Sequence, residues 1–422
     1  MFVAHKIALN PNNTQATYFA KAAGTARFAY NWALAEWNKQ YEAWKLDNTL
    51  PKPTAAKLDI RLNAIKHEQF PWMTEVSCNV AQKATQQLGY AFTNFFTGFT
   101  NYPVFKKKGK NDRFTLTNWR LKVDGKRVRI PKLGWVRMHE ALRFDGKIMS
   151  ATVSRKADRW FISLDVETPD FKLSAAENQG VENTIGLDLG VIDFVTLSTG
   201  ETIAGPRPLT KLLPKLKRKY RAVTRKVPGS ANRVKAQLKL AKFHARIANV
   251  REDAIQKATT TLANRFQFIG IENLDVNDMV SNKRFARSVS DMGFYEFRRN
   301  LERKVTQRGG KVVVADQYFP SSKLCSGCGY KVNRLPTSVR KWQCPKCGVD
   351  HKRDVNAAVN LRENAISSMV SACGEESSGF GRKAEAKLFS MKQESSVTVI
   401  KTTASKFRRT GSRQCSQINN VL

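Results

Sequence analysis

Residues 319–361 read FPSSKLCSGCGYKVNRLPTSVRKWQCPKCGVDHKRDVNAAVNL, and this stretch determines how we interpret the rest of the chain. Its cysteines have the spacing C-x2-C-x15-C-x2-C, which is typical of a tetrahedral zinc site with four thiolate ligands. Each half also contains a glycine, in CSGCG and CPKCG, where a tight turn brings backbone amides close to sulfur. The predicted zinc ligands are Cys325, Cys328, Cys344 and Cys347.

The predicted metal has a structural role. Four thiolates leave no coordination position for water, so the pattern predicts one structural zinc ion and not a catalytic one. Two disulfide bonds are the alternative. We disfavour them because the chain starts without a secretory signal and because Cys78, Cys373 and Cys415 are scattered singly.

Asp354 follows the second cysteine pair and begins the segment DVNAAVNL, whose apolar residues have helical spacing. An acidic residue at the start of a helix is often only an N-cap. Taken alone, this position therefore leaves a structural and a functional interpretation open.

Composition indicates a globular protein with a polyanionic partner. The chain has 422 residues, of which 41% are hydrophobic, and its length suggests about three domains. Its 72 Lys and Arg residues against 35 Asp and Glu residues give a formal charge of +37, which favours nucleic acid as the partner. No apolar run is long enough to cross a membrane, so we expect a soluble protein of the cytoplasm that does not bind membranes.

The first 170 residues alternate between strand-like and helix-like patterns. Alternation at the N-terminus predicts a strand over residues 1–10, and helical spacing predicts a helical domain over 11–103, with helices at about 14–44 and 54–99, the second broken at Pro71. Short alternating segments over 104–170 predict an antiparallel β-barrel, with strands at 114–121, 127–130, 135–138, 147–154 and 160–166. If the first strand joins that barrel, the helical domain is inserted within it. The helical stripe of Tyr30, Trp37, Tyr41 and Trp44 is either core or a base-stacking surface.

Two basic segments are candidates for phosphate contacts. The first is the loop YPVFKKKGK, and the second extends from Arg207 to Arg251, where fifteen Lys or Arg residues occur without any Asp or Glu. The predicted nucleic-acid-binding residues are Lys106, Lys107, Lys108, Lys110, Arg113, Lys217, Arg218, Lys219, Arg221 and Arg225.

Two further acids lie in or directly after apolar strands: Asp188 in IGLDLGV and Glu272 in FIGIENL. Burying an acid is unfavourable unless it is paired or binds a cation. Together with Asp354, these positions have the layout of an RNase H-like fold, in which three carboxylates bind two Mg²⁺ ions for phosphodiester hydrolysis. Asp193, Asp275, Asp278 and Asp316 are better explained as caps or surface residues.

The motifs GLDLG, IENL, FPSSKxCSxCG, CPxCG and RDVNAAxN resemble those of the TnpB family of transposon-encoded RNA-guided DNA nucleases, relatives of type V CRISPR effectors. The resemblance implies a multidomain α+β protein. It has a RuvC nuclease domain with Asp188, Glu272 and Asp354 as catalytic acids and an inserted zinc ribbon. A wedge β-barrel interrupted by a helical recognition domain precedes it.

The resemblance also implies the partners and completes the domain boundaries. One protein would bind one guide RNA from the transposon end and cut double-stranded target DNA in a prokaryotic cytoplasm, in association with the nucleoid. The expected boundaries after the barrel are a linker at 171–183, the first part of the nuclease domain at 184–320, the ribbon at 321–350, the last part of the nuclease domain at 351–370 and a disordered tail at 371–422.

Two other functions fit the same residues. A metal-dependent transposase would use the same acids for DNA strand transfer, and a guide-directed repressor would bind DNA without cutting it. The inserted ribbon and the excess positive charge favour an RNA-bound nuclease over the transposase, and the presence of all three acids argues against the repressor.

Overall fold

The structure is a computed structural model that describes residues 2–168, 175–283, 285–336 and 338–373. The tail predicted at 371–422 lies outside the described residues from position 374 onward, and so do residues 171–174 of the predicted linker. None of the helices in the described ranges is long and apolar enough to cross a membrane.

The N-terminal part of the chain contains a seven-stranded sheet in which every neighbouring pair is antiparallel. Its order is β2-β6-β7-β1-β5-β4-β3, so the first strand of the chain lies in the middle of the sheet. Closure of this sheet into a barrel stays a prediction. The strands are β1 (Phe2–Asn10), β2 (Arg113–Thr117), β3 (Lys122–Asp124), β4 (Arg127–Ile130), β5 (Gly134–Met138), β6 (Lys147–Lys156) and β7 (Arg159–Glu167).

A helical block is inserted between the first two strands. It consists of α1 (Asn13–Leu46), α2 (Ala55–Gln69), a 3-10 turn (Pro71–Glu75) and α3 (Cys78–Phe96). Asn12 begins α1 with a capping box, because its side chain accepts from the Gln15 amide and its own amide donates to the Gln15 side chain. Trp37 is buried and stacks on Phe92 with ring centroids 4.0 Å apart. Trp37 therefore belongs to the core and not to a base-stacking surface, the other role that the sequence left open for the aromatic stripe.

A five-stranded mixed sheet forms the second half of the structure. Its order is β10-β9-β8-β11-β12, in which β8, β11 and β12 are parallel and the other pairs are antiparallel. The apolar runs of β8 and β11 are buried, as expected for central parallel strands. The strands are β8 (Ile185–Leu189), β9 (Val195–Leu197), β10 (Thr202–Ile203), β11 (Phe268–Ile271) and β12 (Lys311–Val314).

Five helices connect these strands: α4 (Pro208–Thr224), α5 (Ala231–Arg265), α6 (Val276–Ser281), α7 (Ala286–Met292) and α8 (Phe294–Thr306). The first two form a basic hairpin that turns at residues 225–230. At the base of the hairpin, buried Asp291 accepts hydrogen bonds from the Leu209 and Thr210 amides and from the Arg251 side chain. Asp291 thus satisfies free amides at the start of α4 and holds the hairpin against α7. Sequence reasoning did not single out this residue.

The chain then forms the cysteine-rich segment and the last helix, with strands β13 (Lys341–Gln343) and β14 (Asp350–Lys352) and helix α9 (Arg353–Cys373). Two glycines let α9 lie directly on the mixed sheet. A Cβ at Gly186 of β8 would lie 1.8 Å from the Ala358 carbonyl oxygen, and one at Gly270 of β11 would lie 2.3 Å from that of Leu361. Neither strand tolerates a side chain where α9 crosses it.

Candidate active site

The two central parallel strands bring the first two predicted acids together. Leu187 of β8 is in register with Ile271 of β11, so Asp188 and Glu272 follow at the same level on neighbouring strands. The Leu189 amide donates to Glu272 Oε1 at 3.2 Å, which ties the glutamate back to the strand that carries Asp188.

The third acid comes from α9. Because α9 packs across both strands through Gly186 and Gly270, its first turn lies close to the ends that carry the other two acids. Asp354 is the second residue of the helix, in its first turn, and is not the N-cap. Its charge raises the pKa of both Asp188 and Glu272.

Burial and mutual repulsion make it unfavourable for Asp188 and Glu272 to be ionised at the same time. Burial is the largest cause that raises the pKa of Asp188 well above its ordinary value, and the charges of Glu272 and Asp354 add to it. Burial also raises the pKa of Glu272 to about 7, although the hydrogen bond from Leu189 opposes the shift. Such raised carboxyl pKa values are typical of functional sites, where a bound cation favours the charged form.

Arg340 adds a cation that sequence reasoning missed. Its Nη1 donates to both carboxylate oxygens of Asp354, at 3.2 and 3.3 Å, and its charge lowers the pKa of Asp188. The residue precedes β13, and a single arginine in so basic a chain carries no sequence signal. Its backbone carbonyl accepts from the Arg353 amide, so the same segment also borders the start of α9.

The carboxylate oxygens are the donors that Mg²⁺ prefers, so the three acids fit such an ion by chemistry. The three acids lie near enough to change one another's pKa values. Within the described ranges, the four cysteines are the one group of three or more potential metal ligands whose donor atoms all lie within 4.8 Å of one another, and the three acids do not meet that condition.

The cysteine cluster has the two-knuckle geometry that its spacing predicts. In the first knuckle, the Cys325 amide donates to Tyr330 and the Gly329 amide donates to Cys325; the second repeats this pattern around Cys344. The sulfur atoms of Cys325 and Cys347 are 3.6 Å apart. Four converging thiols fit a zinc ion held entirely by the protein.

Two asparagines connect this cluster to the acid-bearing helix. Buried Asn356 accepts from the Ser326 amide at 3.0 Å and donates to the Leu324 carbonyl at 2.7 Å. Asn360, one turn later, donates to the carbonyls of Ser321 and Leu324. We call Asn356 and Asn360 the asparagine clasp. Through the clasp, the first knuckle is fixed to the helix that begins beside Asp354.

His351 also contacts the cluster. Its Nε2 lies 3.0 Å from the sulfur of Cys325, and its ring packs against Trp342 with centroids 4.7 Å apart. His244, by contrast, lies on the basic hairpin and forms a 2.9 Å hydrogen bond with the Tyr220 hydroxyl.

Two of the other acids considered in the sequence analysis have local structural roles. Asp275 caps α6 by accepting from the Asp278 amide at 3.0 Å, and Asp316 accepts from the Tyr318 amide at 2.9 Å. The expectation of a cap is confirmed for Asp275.

The predicted phosphate-binding residues differ in accessibility. Lys106 is partly buried, with its Nζ 3.5 Å from the Tyr30 ring centroid, and burial lowers its pKa to about 8. Lys219 is also partly buried and lies over the Phe243 ring. The others are exposed: Lys107, Lys108, Lys110, Arg113, Lys217, Arg218, Arg221 and Arg225. Their roles in binding stay predictions.

Three family profiles match the chain. One described as "Probable transposase" matches residues 161–283, one described as "Cas12f1-like, TNB domain" matches residues 294–361, and one described as "Helix-turn-helix domain" matches residues 1–45.

Two curated relatives are similar over almost their whole length. A "Putative RNA-guided DNA endonuclease" of Streptomyces pristinaespiralis is 36% identical over 90% of this chain and 94% of its own. "Putative RNA-guided DNA endonuclease InsQ" of Escherichia coli K12 is 32% identical over 88% of this chain and 94% of its own. Among solved structures, the Cas12f1 chain in a complex with single guide RNA and target DNA has a TM-score of 0.50, with 15% identity and 82% coverage of both chains. That likeness indicates a shared mixed α/β fold.

Proposed function

This chain belongs to the TnpB family, and from that membership we propose that it is an RNA-guided DNA endonuclease. It hydrolyses phosphodiester bonds of target DNA that is selected by a guide RNA from the transposon end and by a short adjacent motif. The same division of recognition is found in Cas9, where base pairing with the guide RNA recognises most of the target and the protein recognises only the adjacent motif.

The observation that carries this proposal is the arrangement of three carboxylates: the register of β8 with β11 places Asp188 and Glu272 on neighbouring strands, and α9, which crosses both strands, carries Asp354 in its first turn. These three acids would hold two Mg²⁺ ions, which when bound supply Lewis-acid activation of water and stabilisation of the leaving oxygen. The protein's own contribution is to present buried, mutually repelling carboxylates that gain stability when a cation neutralises them. Arg340 positions Asp354 by pairing with it.

The fold supports the domain roles that the family resemblance implies. In this proposal, the mixed sheet with α9 across it would form an RNase H-like RuvC nuclease domain, and the four-cysteine segment would form an inserted zinc ribbon. The antiparallel sheet would belong to the wedge barrel, and the helices inserted after β1 would form the recognition domain.

The partners follow from charge and family. The exposed cations of the basic hairpin and of the loop before β2 would contact the phosphates of one guide RNA and of the A-form heteroduplex, which proteins recognise by backbone and shape. We propose that the protein works in a prokaryotic cytoplasm, at the nucleoid.

A transposase with DNA strand transfer is the second candidate, because one matching profile is described as a probable transposase. The two functions differ in whether a defined RNA is needed. A guide-directed repressor without cleavage would need the RNA but not the acids.

The deciding experiment is to sequence the RNA that copurifies with the full-length chain and then to supply that RNA with a changed guide segment. We expect one defined RNA species, and we expect Mg²⁺-dependent cleavage of a plasmid to move to the site that matches the new guide. Strand transfer without a defined RNA would favour the transposase, and guided binding without cleavage would favour the repressor.

A further inference from the structure

Three polar residues of α1 contact the loop before β2, which we define as residues 102–112. The contacting pairs are Tyr102 with Asn38, Lys106 with Asn31 and Asp112 with Arg27. The three α1 residues lie four and seven positions apart and therefore on one face of the helix. Their partners follow in the opposite order, so the loop runs antiparallel to α1 for about 16 Å.

Asn31 makes the central contact, and it pairs with the loop backbone. Its Nδ2 donates to the Lys106 carbonyl at 2.9 Å, and its Oδ1 accepts from the Lys106 amide at 2.8 Å. Both bonds are partly buried, and together they pair the backbone donor and the backbone acceptor of Lys106. The Lys106 side chain also turns toward the helix, where it lies over the Tyr30 ring. Asn31 thus fixes this residue as a neighbouring strand would.

The turn that follows Lys106 is tied to the same helix. The Lys110 amide donates to the Lys107 carbonyl at 3.3 Å, which closes the turn. Asp112 Oδ1 accepts from the Gly109 amide at 3.2 Å and from Arg27 Nη1 at 3.4 Å. A single carboxylate therefore connects the turn to α1.

The turn concentrates positive charge. Lys107, Lys108 and Lys110 are exposed on it. Burial and then the charge of Arg113 lower the pKa of Lys106 at its base. Like charges at this spacing repel one another, and a free segment of this composition extends. The contacts with α1 oppose that extension, so a polyanion need not order the loop when it binds.

We propose that α1 is a template that holds the loop before β2 in its RNA-binding shape, and that Asn31 is the positioning residue of this template. The inference rests on the proposed function, in which the loop contacts RNA phosphates. It assigns to Asn31 an effect on RNA affinity, although this side chain pairs with the loop backbone and not with RNA.

Limited proteolysis of the RNA-free, full-length protein tests the template without requiring RNA. Trypsin cleaves after lysine where a segment can leave the folded surface, and the exposed lysines of the turn are such sites. Asn31→Ala should speed cleavage within the loop by about fivefold, because the loop opens more often without these hydrogen bonds. Alanine favours a helix, so α1 itself should persist. Asn63→Ala is the matched control, since Asn63 is exposed and its side-chain hydrogen bonds stay within α2.

Affinity for RNA at several salt concentrations provides the second readout, with the RNA that copurifies with the wild type as the probe. Asn31→Ala should weaken binding about fivefold at every salt concentration, because RNA must then order the loop. The slope of log affinity against log salt should stay unchanged, since no phosphate contact is lost. Lys107→Ala/Lys108→Ala instead removes two exposed cations and should lower that slope by about 1.5.

The outcomes separate this inference from the function on which it rests. A loop that trypsin cuts no faster in Asn31→Ala than in the control would overturn the template, and so would a looser loop with wild-type RNA affinity. Faster cleavage throughout the helical block, with a lower melting temperature, would give Asn31 a role in the stability of the block and overturn the inference. In each of these cases, a wild-type protein that cuts guided targets would leave the nuclease intact. A loop that loosens in Asn31→Ala, in a protein that copurifies with no RNA, would support the template and refute the RNA-guided function.

Discussion

Asp188 and Glu272 occupy positions where an ionised carboxylate is unfavourable, and their strands leave no alternative position for them. Each acid is fixed by the register of β8 with β11, and each is close enough to Asp354 to feel its charge. The free energy that this arrangement costs the folded protein is recovered when a cation binds.

Asp188→Ala is expected to abolish Mg²⁺-dependent cleavage, by on the order of a thousandfold or more, because removal of one member of a catalytic unit disables the whole unit. Binding of RNA and of target DNA should change little, since the residue lies within the mixed sheet and not on the basic surfaces. Cleavage rates and filter-binding affinities on the same preparation measure both effects. Cutting at the wild-type rate would refute the assignment of the acid.

Glu272→Gln tests the raised pKa through stability. The folded protein keeps a proton on Glu272 up to about pH 7, whereas the unfolded chain loses it near its ordinary value of 4.5. The folded state binds more protons in that window, so the free energy of unfolding of the wild type falls as pH rises from about 4.5 to about 7. The glutamine variant should be more stable than the wild type at pH 8, by on the order of 3 kcal/mol.

The measurement is urea unfolding of both proteins at pH 5.5 and pH 8, in buffer without Mg²⁺ and without chelators that would remove zinc. The difference between the proteins should grow with pH and shrink when Mg²⁺ is added at pH 8. A difference that is the same at both pH values would contradict the raised pKa.

At the scale of elements, helix α9 links the two metal-related features of the chain. It carries Asp354 in its first turn, it crosses β8 and β11 at Gly186 and Gly270, and the asparagine clasp fixes it to the first cysteine knuckle. A small displacement of this helix would move one acid relative to the other two.

Gly186→Ala should destabilise the protein or displace α9, because the new Cβ would lie 1.8 Å from a backbone carbonyl that cannot rotate away. Overpacking of this kind costs about 1–3 kcal/mol or more. Gly24→Ala is the control, since the nearest atom there is the end of the Arg27 side chain at 3.8 Å, and alanine favours a helix. Thermal unfolding of both variants provides the comparison, and equal melting temperatures would show that α9 does not lie against β8.

Helices and strands with regular apolar spacing could be predicted from the sequence. The strand predicted at residues 127–130 coincides with β4, and the helices before residue 100 agree within a few residues because their apolar spacing is regular. The segment predicted as one strand over 114–121 is wrong, since β2 ends at Thr117 and the chain turns with a positive φ at Arg120 before β3. Arg120 gives no turn signal of the kind that glycine or asparagine gives.

Contacts between distant side chains were not readable. The sequence identified the three acids through their apolar surroundings and through motif resemblance, and their grouping in space depends on the register of β8 with β11 and on two glycines. Arg340 and Asp291 have partners that the chain brings close only after folding, so no local pattern distinguishes them from other charged residues.

At the scale of the whole molecule, the positive charge determines which nucleic-acid partners the protein can bind, and the cysteine cluster determines which metal it can bind. The basic hairpin exposes Arg218 and Arg221 along α4, away from the small core that joins its two helices. Its length and charge suit contact with the phosphates of a structured RNA.

The double variant Arg218→Ala/Arg221→Ala should weaken RNA binding and lower the slope of log affinity against log salt by about 1.5, since each lost phosphate contact removes 0.7 to 0.9. Lys257→Ala/Arg299→Ala removes the same charge as a control. Those residues are paired with Asp253 and Glu296, so their loss should leave the slope nearly unchanged. Equal slopes for both double variants would place the RNA elsewhere.

Cys344→Ser should lower zinc content and destabilise the nuclease half of the molecule, because structural zinc contributes folding free energy. Cleavage should fall with it, since the asparagine clasp ties the first knuckle to the helix that begins beside Asp354. Cys78→Ser, at an exposed free cysteine outside the cluster, is the matched control. Zinc-free wild-type protein with full activity and an unchanged melting temperature would contradict this role.

The central place of β1 in the antiparallel sheet has a consequence for biosynthesis. Strand β1 leaves the ribosome first and must wait for its two partners, β5 and β7, which pair with it through residues 137–138 and 161–167. At 5–20 residues per second, that interval lasts roughly 8 to 30 s. During that time the nascent polypeptide exposes both edges of its opening strand while the helical insert folds ahead of it, which is the period when a chaperone would be of most use.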